Sequence, residues 1–590
     1  MSFPEKNKKL LIILSSIVSF IIALMLIAQL IIGNILENKL DEALDKKENK
    51  KYKLDIGKVK VNLFTMTLIF KNVEITPDSL FLNELKVPTK HAKNAFSLKI
   101  PVVRIRNIGV YNYLVHKEIS IDDFIINNAV YNVYKSVASK STTSKPTPNA
   151  TPKFKMDSIV IPGIDGVSIN NITISSFSFN VINLQNNDTS FAAINLNLNY
   201  ENIQLVKNNP DKPSLKLLSK NVDINMSGEK FNLPGGKYTL QFGSLNFNMD
   251  KASMILKDFK ITPRYNLSTM AKMSKFQYEI YTCDIKSVEI QSIYPFKIIQ
   301  TSNLFISKII IDSMDLSIYK DKHFPFDTTK RPLIPTQSLK LLKTQLYVDS
   351  VIIKNSHLNY SELHDMTDVP MKVNLGSLNA TVNNITSIKD SIYKNSIMKV
   401  VLRANLQNTI PMGVNIYFRL NSVADTFSFN GWLGNGNMKL FNKILLPAIG
   451  IKFDAGTLDG VKFTARANTT YAIGEMTMLY HDLDGVVVRK NMKETNKLLS
   501  WVANTAMIQN NPIPGRDKRV EPMYFNRVMY KGLGNFLWKT LQSGITATLI
   551  PTMDSRVQKQ IDVTKGVDKK TIKKREREEK HKNKKKHKKK

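Results

Sequence analysis

Two periods of hydrophobicity divide the chain. Leu10 to Ile32 (LLIILSSIVSFIIALMLIAQLII) is twenty-three residues without a charge, broken only by Ser15, Ser16, Ser19 and Gln29. As a helix rising 1.5 Å per residue it is about 35 Å long, enough to cross a hydrocarbon core of about 30 Å. From Asp55 the pattern becomes alternation: in DIGKVKVNLFTMTLIFKNVEI, Val59, Val61 and Leu63 lie two apart, and after a phase change Phe64, Met66, Leu68 and Phe70 continue. Period two predicts strands with one apolar face. VVRIRNIGVYNYLV, FAAINLNLNYENIQL, YTLQFGSLNFNM, MILKDFKITP and MKVVLRANLQ read the same way. Helical spacing returns late. LFNKILLPAIGI predicts a short apolar helix ending at Pro447. Lys493 to Ile508 places Leu498, Leu499, Val502, Ala503 and Ala506 on one face, and Phe525 to Ile545 does so with Val528, Met529, Leu533, Phe536, Leu537 and Leu541.

The expected fold is mainly β: an N-terminal transmembrane helix, then an elongated, curved, mostly antiparallel sheet or groove, with a few C-terminal helices. A phrase recurs within the strands. ISIDDFIINNAVYNVYKS (119–136), FKMDSIVIPGIDGVSIN (154–170), IIIDSMDLSIYKD (309–321) and LYVDSVIIKNSHLNYSE (346–362) each read as a strand, a break and another strand. Units of that kind stack by extending a sheet; chance likeness among alternating strands is the competing account. Ser136 to Lys153 is Ser/Thr/Pro-rich and reads as a linker, whereas the Pro-rich 323–340 keeps Phe324, Phe326, Leu333 and Ile334 and reads as a packed loop. The expected divisions are a 1–9 N-terminus, a 10–32 anchor, a 33–53 helical stalk, a 54–135 β region, the 136–153 linker, a repetitive 154–420 β region, a 421–490 β region, amphipathic helices over 491–550 and a disordered basic tail over 551–590.

Composition adds two constraints. Hydrophobic residues make up 43% and aromatics 9%, enough for most of the chain to bury apolar surface. The net charge of +35 is uneven: residues 569–590 hold fourteen Lys and Arg against three Glu, a net +11. Self-repulsion keeps such an arm extended, and it attracts anionic surfaces, whether lipid headgroups, lipopolysaccharide or nucleic acid. It lacks the interleaved aromatics of a single-strand stacking platform, so no specific nucleic acid is expected.

The anchor reads as uncleaved. The residues after it, GNILENKLDEALDKKENKKYK, hold no convincing small-x-small site; Ala28 and Gly33 are where processing would otherwise fall. Lys6, Lys8 and Lys9 precede the span, and Lys39, Lys46, Lys47, Lys50, Lys51 and Lys53 follow it, so flanking charge sets no orientation.

Catalytic chemistry has little support. The single Cys283 excludes an internal disulfide framework, and no H-E-x-x-H, G-x-S-x-G, Walker loop or dinucleotide fingerprint occurs; GNGNMK (434–439) reads as a turn. His357, Glu362, His364 and Asp365 form the nearest thing to a metal cluster, beside a turn. His481 and Asp482 in YHDLDG read as a strand end rather than an acid/base pair. Neither carries a catalytic, cofactor or metal assignment. Lys531, Trp538 and Lys539 flank the apolar face of the last predicted helix, a mixture suited to a membrane interface or to capping the end of the sheet.

The anchor followed by IGKVKVNLFTMTLIFKNVEI, and above all DTFSFNGWLG, LFNKILLP, AGTLDGVKF and GEMTMLYHDL, resembles the AsmA-like family of envelope proteins, in its divergent Bacteroidetes-type form. The resemblance covers the chain from the anchor to about Pro551; the Lys-rich tail is no part of the pattern. It implies an inner-membrane anchor, a periplasmic body, an apolar β surface on which acyl chains slide, and a non-catalytic role in phospholipid transport or outer-membrane assembly, alone or with an envelope partner. The competing reading is a scaffold whose sheet is a closed core and whose tail, 569–590, tethers it to an anionic envelope surface.

Overall fold

A computed structural model describes residues 51–62, 65–86, 94–135, 164–184, 188–209, 212–218, 223–228, 231–233, 235–293, 303–342, 344–364, 369–487, 508–549, 551–568 and 570–571. The predicted anchor (10–32), the linker (136–153), all but the last residue of the predicted helix 493–508 and nearly all of the basic arm lie outside these residues. Among the described residues no helix is long and apolar enough to cross a membrane. The protein is mainly β, 59% strand and 18% helix, and divides into two compact units: residues 1–265 with 283–309, and residues 266–282 with 310–590.

Unit 1 contains β1 (Tyr52–Asn62), β2 (Thr67–Pro77), α1 (Ser79–Lys86), β3 (Asn94–Ile108), α2 (Val110–His116), β4 (Glu118–Asn127), β5 (Val130–Lys135), β6 (Gly166–Asn183), β7 (Asp188–Asn209), β8 (Lys212–Leu218), β9 (Asp223–Ser227), β10 (Phe231–Asn232), β11 (Tyr238–Gln241), β12 (Ser244–Asn248), β13 (Ser253–Pro263) and most of β14 (Glu279–Gln291). The phase change at Phe64 falls between β1 and β2, which pair as an antiparallel hairpin. Register then lines up like with like. One apolar row runs Val59, Phe70, Val103, Ile126, Ile174, Leu198, Met226, Leu245, Leu256, Val288, each residue directly opposite the next. A second runs Leu68, Ile105, Phe124, Ile172, Tyr200, Ile224, Phe247, Met254, Ile290. Cross-strand pairs of this kind are the unit of sheet stabilisation.

The rows stay on one face although the strands change phase. In β6 the buried positions are Val167 and Ile169, then Ile172 and Ile174, then Phe177, Phe179 and Val181. Past Ile174 the slip is a bulge against β7, whereas between Ile169 and Ile172 one residue on each strand drops out of the pairing, so neighbouring strands change phase together. Residues at positive φ mark the slips: Asn72, Asn107, Asn128, Ser176 and Asn202. Asn and Ser tolerate this conformation better than branched residues. Amide side chains at and beside these positions tie strands together on the polar face: Asn107 donates to Asp122, Asn170 Nδ2 donates to Asp122 at 2.9 Å, and Asn197 Oδ1 accepts from Ser176 N at 3.0 Å.

β6 pairs in parallel with both β4 and β5, against the antiparallel rule elsewhere in this unit. A parallel neighbour requires the chain to return along the strand before starting again. β4 and β5 together span residues 118–135, roughly 60 Å at the strand rise. The segment VYNYLV is a correction: after Ile108 it leaves the sheet as α2, not as strand. Gly109 sits so close to Ser120 that a Cβ there would lie 1.9 Å from its Oγ, and Lys117 closes the helix in the left-handed conformation. Six apolar-rich residues satisfy either period, so alternation alone does not separate helix from strand here.

Unit 2 contains α3 (Leu267–Lys272), most of β15 (Leu304–Asp321), α4 (Pro335–Lys340), β16 (Leu346–Leu363), β17 (Met371–Thr386), α5 (Lys389–Lys394), β18 (Ile397–Leu406), β19 (Ile410–Arg419), β20 (Phe427–Leu433), β21 (Gly436–Asn437), a 3-10 turn (Met438–Phe441), α6 (Asn442–Ile449), β22 (Ile451–Ala467), β23 (Tyr471–Val487), β24 (Glu521–Asn526), α7 (Leu533–Leu549) and α8 (Pro551–Thr564). Its main apolar row runs Val351, Val382, Val400, Ile416, Phe429, Ala465, Gly474, Met523. α7 packs on β23 and β24. It comes so close at Gly544 that a Cβ there would lie 2.6 Å from Met523 Cγ, and Phe536 is 1% exposed between Phe427 and Phe525.

Four expectations change in unit 2. The region assigned to amphipathic helices holds strand β24, so Phe525 and Asn526 are paired with Ala472 and Tyr471, and the helix begins only at Leu533. Residues 551–564, assigned to the tail, form α8, with Pro551 at its first turn, where a missing N–H costs nothing. The helix expected to stop at Pro447 runs to Ile449 and ends on Gly450 in the left-handed conformation. Finally, the breaks expected in 309–321 and 346–362 fall within continuous strands, with a positive φ at Ser313 (φ 54) and a bulge at Asn355 (φ 52). The Pro-rich 323–340 is packed: Ile334 is fully buried and Arg527 donates to the Pro332 carbonyl.

Candidate functional site

The apolar face is not covered evenly in either unit. In unit 1 the row is buried from Phe70 on β2 to Leu198 on β7, then half-buried from Met226 on β9 through Leu245 and Leu256 to Val288 on β14. In unit 2 the order reverses. Val351, Val382, Val400 and Ile416 are half-buried, while Phe429, Ala465 and Met523, towards α7, are buried. Beside the half-buried part, Ile353, Leu358, Leu375, Leu402 and Met412 pack partly exposed around Leu378, Ala380 and Ala404.

The same face of β16 ends in charge. Leu358, Tyr360 and Glu362 alternate along β16 with no register shift between them, so they share a face. The Tyr360 hydroxyl donates to Glu362 Oε2 at 2.7 Å, His364 Nε2 lies 2.8 Å from Oε1, and Lys322 forms an ion pair with the same oxygen. Lys320 pairs with Glu279 at 2.8 Å. From the other end of the unit's sequence come Lys531 and Lys539. Lys531 Nζ sits 4.2 Å from the Phe326 ring centre and Lys320 Nζ 5.6 Å from the same ring, and Lys539 donates to Gln542 Oε1 at 2.7 Å. Among the described residues Lys531 makes no ion pair.

The electrostatics of this cluster run in two directions. Burial alone would raise the Glu362 pKa, but hydrogen bonds from Lys322 and Tyr360 and the charges of Lys322 and His364 outweigh it and hold the carboxyl below its ordinary range. Burial lowers the pKa of Lys531, and Lys322, Lys539 and Lys320 add to the effect; Lys539 is lowered by burial and by Lys322. Two of these ammonium groups, Lys320 and Lys322, are thus paired with carboxylates, while burial and neighbouring cations disfavour the charge on the other two.

The sequence-level candidates are partly brought together. Glu362 and His364 meet, His357 is exposed on β16, and Asp365 lies outside the described residues. His481 and Asp482 are at a bulge in mid-β23 rather than at a strand end: His481 Nδ1 lies 3.0 Å from Asp459 Oδ2, which raises its pKa, and Asp482 takes φ 52. Cys283 sits in β14 opposite Ile261. Gly434 to Lys439 supplies the short β21 and the start of the 3-10 turn. Trp538 is 41% exposed while the apolar side of α7 faces the sheet. No group of three His, Cys, Asp or Glu among the described residues is placed to hold a metal ion. Sequence reasoning noted Lys531 with Lys539, Glu362 with His364, and Phe326 only as part of a packed loop, and it missed Lys320 and Lys322, whose signal, two lysines at the end of a strand, is common on any surface.

Neither the family models nor the curated proteins compared with the sequence give a match.

Proposed function

We propose that this protein is a membrane-anchored, non-catalytic envelope protein of AsmA-like character that takes acyl chains on its apolar sheet faces and takes part in phospholipid transport or outer-membrane assembly. In this reading residues 10–32 hold it in the inner membrane as a single pass, the large body lies in the periplasm, and the curved sheet serves as a groove for lipid.

The observation that carries the reading is the uneven cover of the apolar rows. A row that is buried at one end and half-exposed over the next several strands leaves hydrocarbon surface in water, unfavourable by about 25 cal/mol per Å2. An acyl chain lying across Leu245, Leu256 and Val288 in unit 1, or across Val382, Val400 and Ile416 in unit 2, removes that surface. The test is lipid analysis of the full chain purified in detergent, set beside Leu256→Glu and Val400→Glu variants of unchanged circular dichroism. Co-purifying phospholipid that falls in both variants supports the reading; wild-type protein free of phospholipid overturns it.

The scaffold reading draws on the net +11 of residues 569–590. If that tail is a tether, deleting it abolishes function with bound lipid unchanged.

A further inference from the structure

We propose that Lys320, Lys322, Lys531 and Lys539 form a binding site for a phosphate ester anion, the headgroup end of a phospholipid whose acyl chains lie on the partly exposed apolar patch of β16–β19. This rests on the acyl-chain reading for its lipid source, but the phosphate chemistry stands on the cluster itself.

Three features of the cluster point to an anion. The first is stoichiometry: Lys320 and Lys322 are matched by Glu279 and Glu362, which leaves Lys531 and Lys539 with no carboxylate bonded to them among the described residues. The second is placement. Lys531 and Lys320 share the Phe326 ring, so their ammonium groups are held within reach of one bound group rather than spread in solvent. Partly buried cations held near one another repel, and an arriving phosphate relieves the repulsion while accepting hydrogen bonds from several donors at once. The third is direction. Along one face of β16, Leu358 belongs to the apolar patch, Tyr360 follows, and Glu362 anchors Lys322. An apolar strip that ends in cations matches an amphiphile with an anionic head.

Glu362 has a positioning part in this arrangement. It accepts from Tyr360 and pairs with Lys322 and His364, fixing the lysine, and makes no ion pair with Lys531 or Lys539.

The experiment uses the full chain in detergent and three probes: inorganic phosphate, phosphatidylglycerol and diacylglycerol, which has the acyl chains without the phosphate. Binding is read by calorimetry for wild type, Lys531→Met, Lys539→Met and the charge-preserving Lys531→Arg, with thermal unfolding as the control for fold. The expected result is that each Met variant weakens phosphatidylglycerol binding by roughly tenfold, about 1.4 kcal/mol, and leaves diacylglycerol binding unchanged, while Lys531→Arg binds as wild type does. Phosphatidylglycerol and diacylglycerol binding equally, with no effect of the Met variants, overturns the headgroup site and leaves the acyl-chain reading standing. Inorganic phosphate binding that is lost in the Met variants, with neither lipid bound, keeps the anion site and removes the lipid source. Absence of binding by both phosphate-bearing probes overturns the proposal.

Discussion

The two units bury their apolar faces by different means. Among the described residues, unit 1's core is built almost wholly from strands, with Phe70, Val103, Phe124, Ile126, Ile174 and Leu198 stacked row upon row. Unit 2 uses helices as well: Ile334 and Leu339 lie at α4, Leu445 is on α6, and Phe536, Leu537, Leu541, Ile545 and Leu549 are on α7. A sheet that buries its own face distributes each contact over neighbouring strands. A sheet buried by a helix concentrates them in one element, which leaves the strands beyond its reach half-exposed. Cover in unit 2 is therefore local and separable, while in unit 1 it is shared.

Phe536→Ala breaks the comparison at its strongest point. The ring is 1% exposed and lies 6.2 Å from Phe427 and 6.4 Å from Phe525. Removing a buried aromatic costs about 3–5 kcal/mol. Hydrogen exchange should show protection lost in α7 and in β20–β24, with β2–β7 of unit 1 unchanged; equal loss in both units would mean that the helix is not a separable cover.

Ile126→Ala is the counterpart in unit 1. Ile126 is 2% exposed, opposite Val103 on one side and Ile174 on the other. A loss of about 2–4 kcal/mol is expected for such a cavity. Because its neighbours belong to different strands, the exchange should rise on β3, β4 and β6 together. A change confined to β4 would show that the rows do not share their burial.

Glu362→Gln probes the charged end of the β16 face, with an expected loss of about 2 kcal/mol at neutral pH, the scale of hydrogen bonds to a buried charge. The pH dependence separates charge from shape. A carboxyl whose pKa is held down in the folded state contributes stability above its unfolded value, about 4.3, and loses it as the pH falls through the folded value. Wild-type unit 2 should therefore lose stability on acidification, and Glu362→Gln should lack that part of the slope. An identical acid profile in both proteins would exclude Glu362 as an ionised anchor.

The legible parts of the fold were those with a local cause. Period two in KVKVN and LIFKNVEI marks β1 and β2, and the phase change marks their turn. The polar pairs Asn170–Asn171 and Ser175–Ser176 interrupt the alternation of β6 where it slips, and the second of them coincides with a bulge against β7. The parallel pairing of β4 and β5 with β6 was not legible, because alternation carries no strand direction; only the length of the Ser/Thr/Pro-rich connection hints at a return path. α7 was legible as an apolar face from Leu533 onward, but Phe525 satisfied the same spacing by coincidence and belongs to β24. The lysine cluster drew on β15, the loop after it, β16 and the approach to α7, some two hundred residues apart, and no local pattern joins them.

The smallest effect separates the two units by titration rather than by cavity. In unit 1 the polar face is tied by amide donors, Asn107 and Asn170, onto Asp122, a ladder without a histidine. In unit 2, on β22 and β23, the exposed His481 pairs with Asp459, and the hydrogen bond and charge of Asp459 raise its pKa. A histidine raised in the folded state contributes stability below its unfolded pKa, about 6.5, and the contribution disappears as the pH rises through the folded value. Imidazole proton resonances should therefore place the His481 midpoint above that of a free histidine, and Asp459→Asn should bring it down towards the ordinary value. Salt should shrink the difference, because the pair is open to solvent. Between pH 6 and 8 the resonances of β22 and β23 should move and those of the Asn107–Asp122–Asn170 ladder should not. Matching shifts in both places would mean that the pair at the bulge is coupled to more than its own two strands, and the separation of the two polar faces would fail with it.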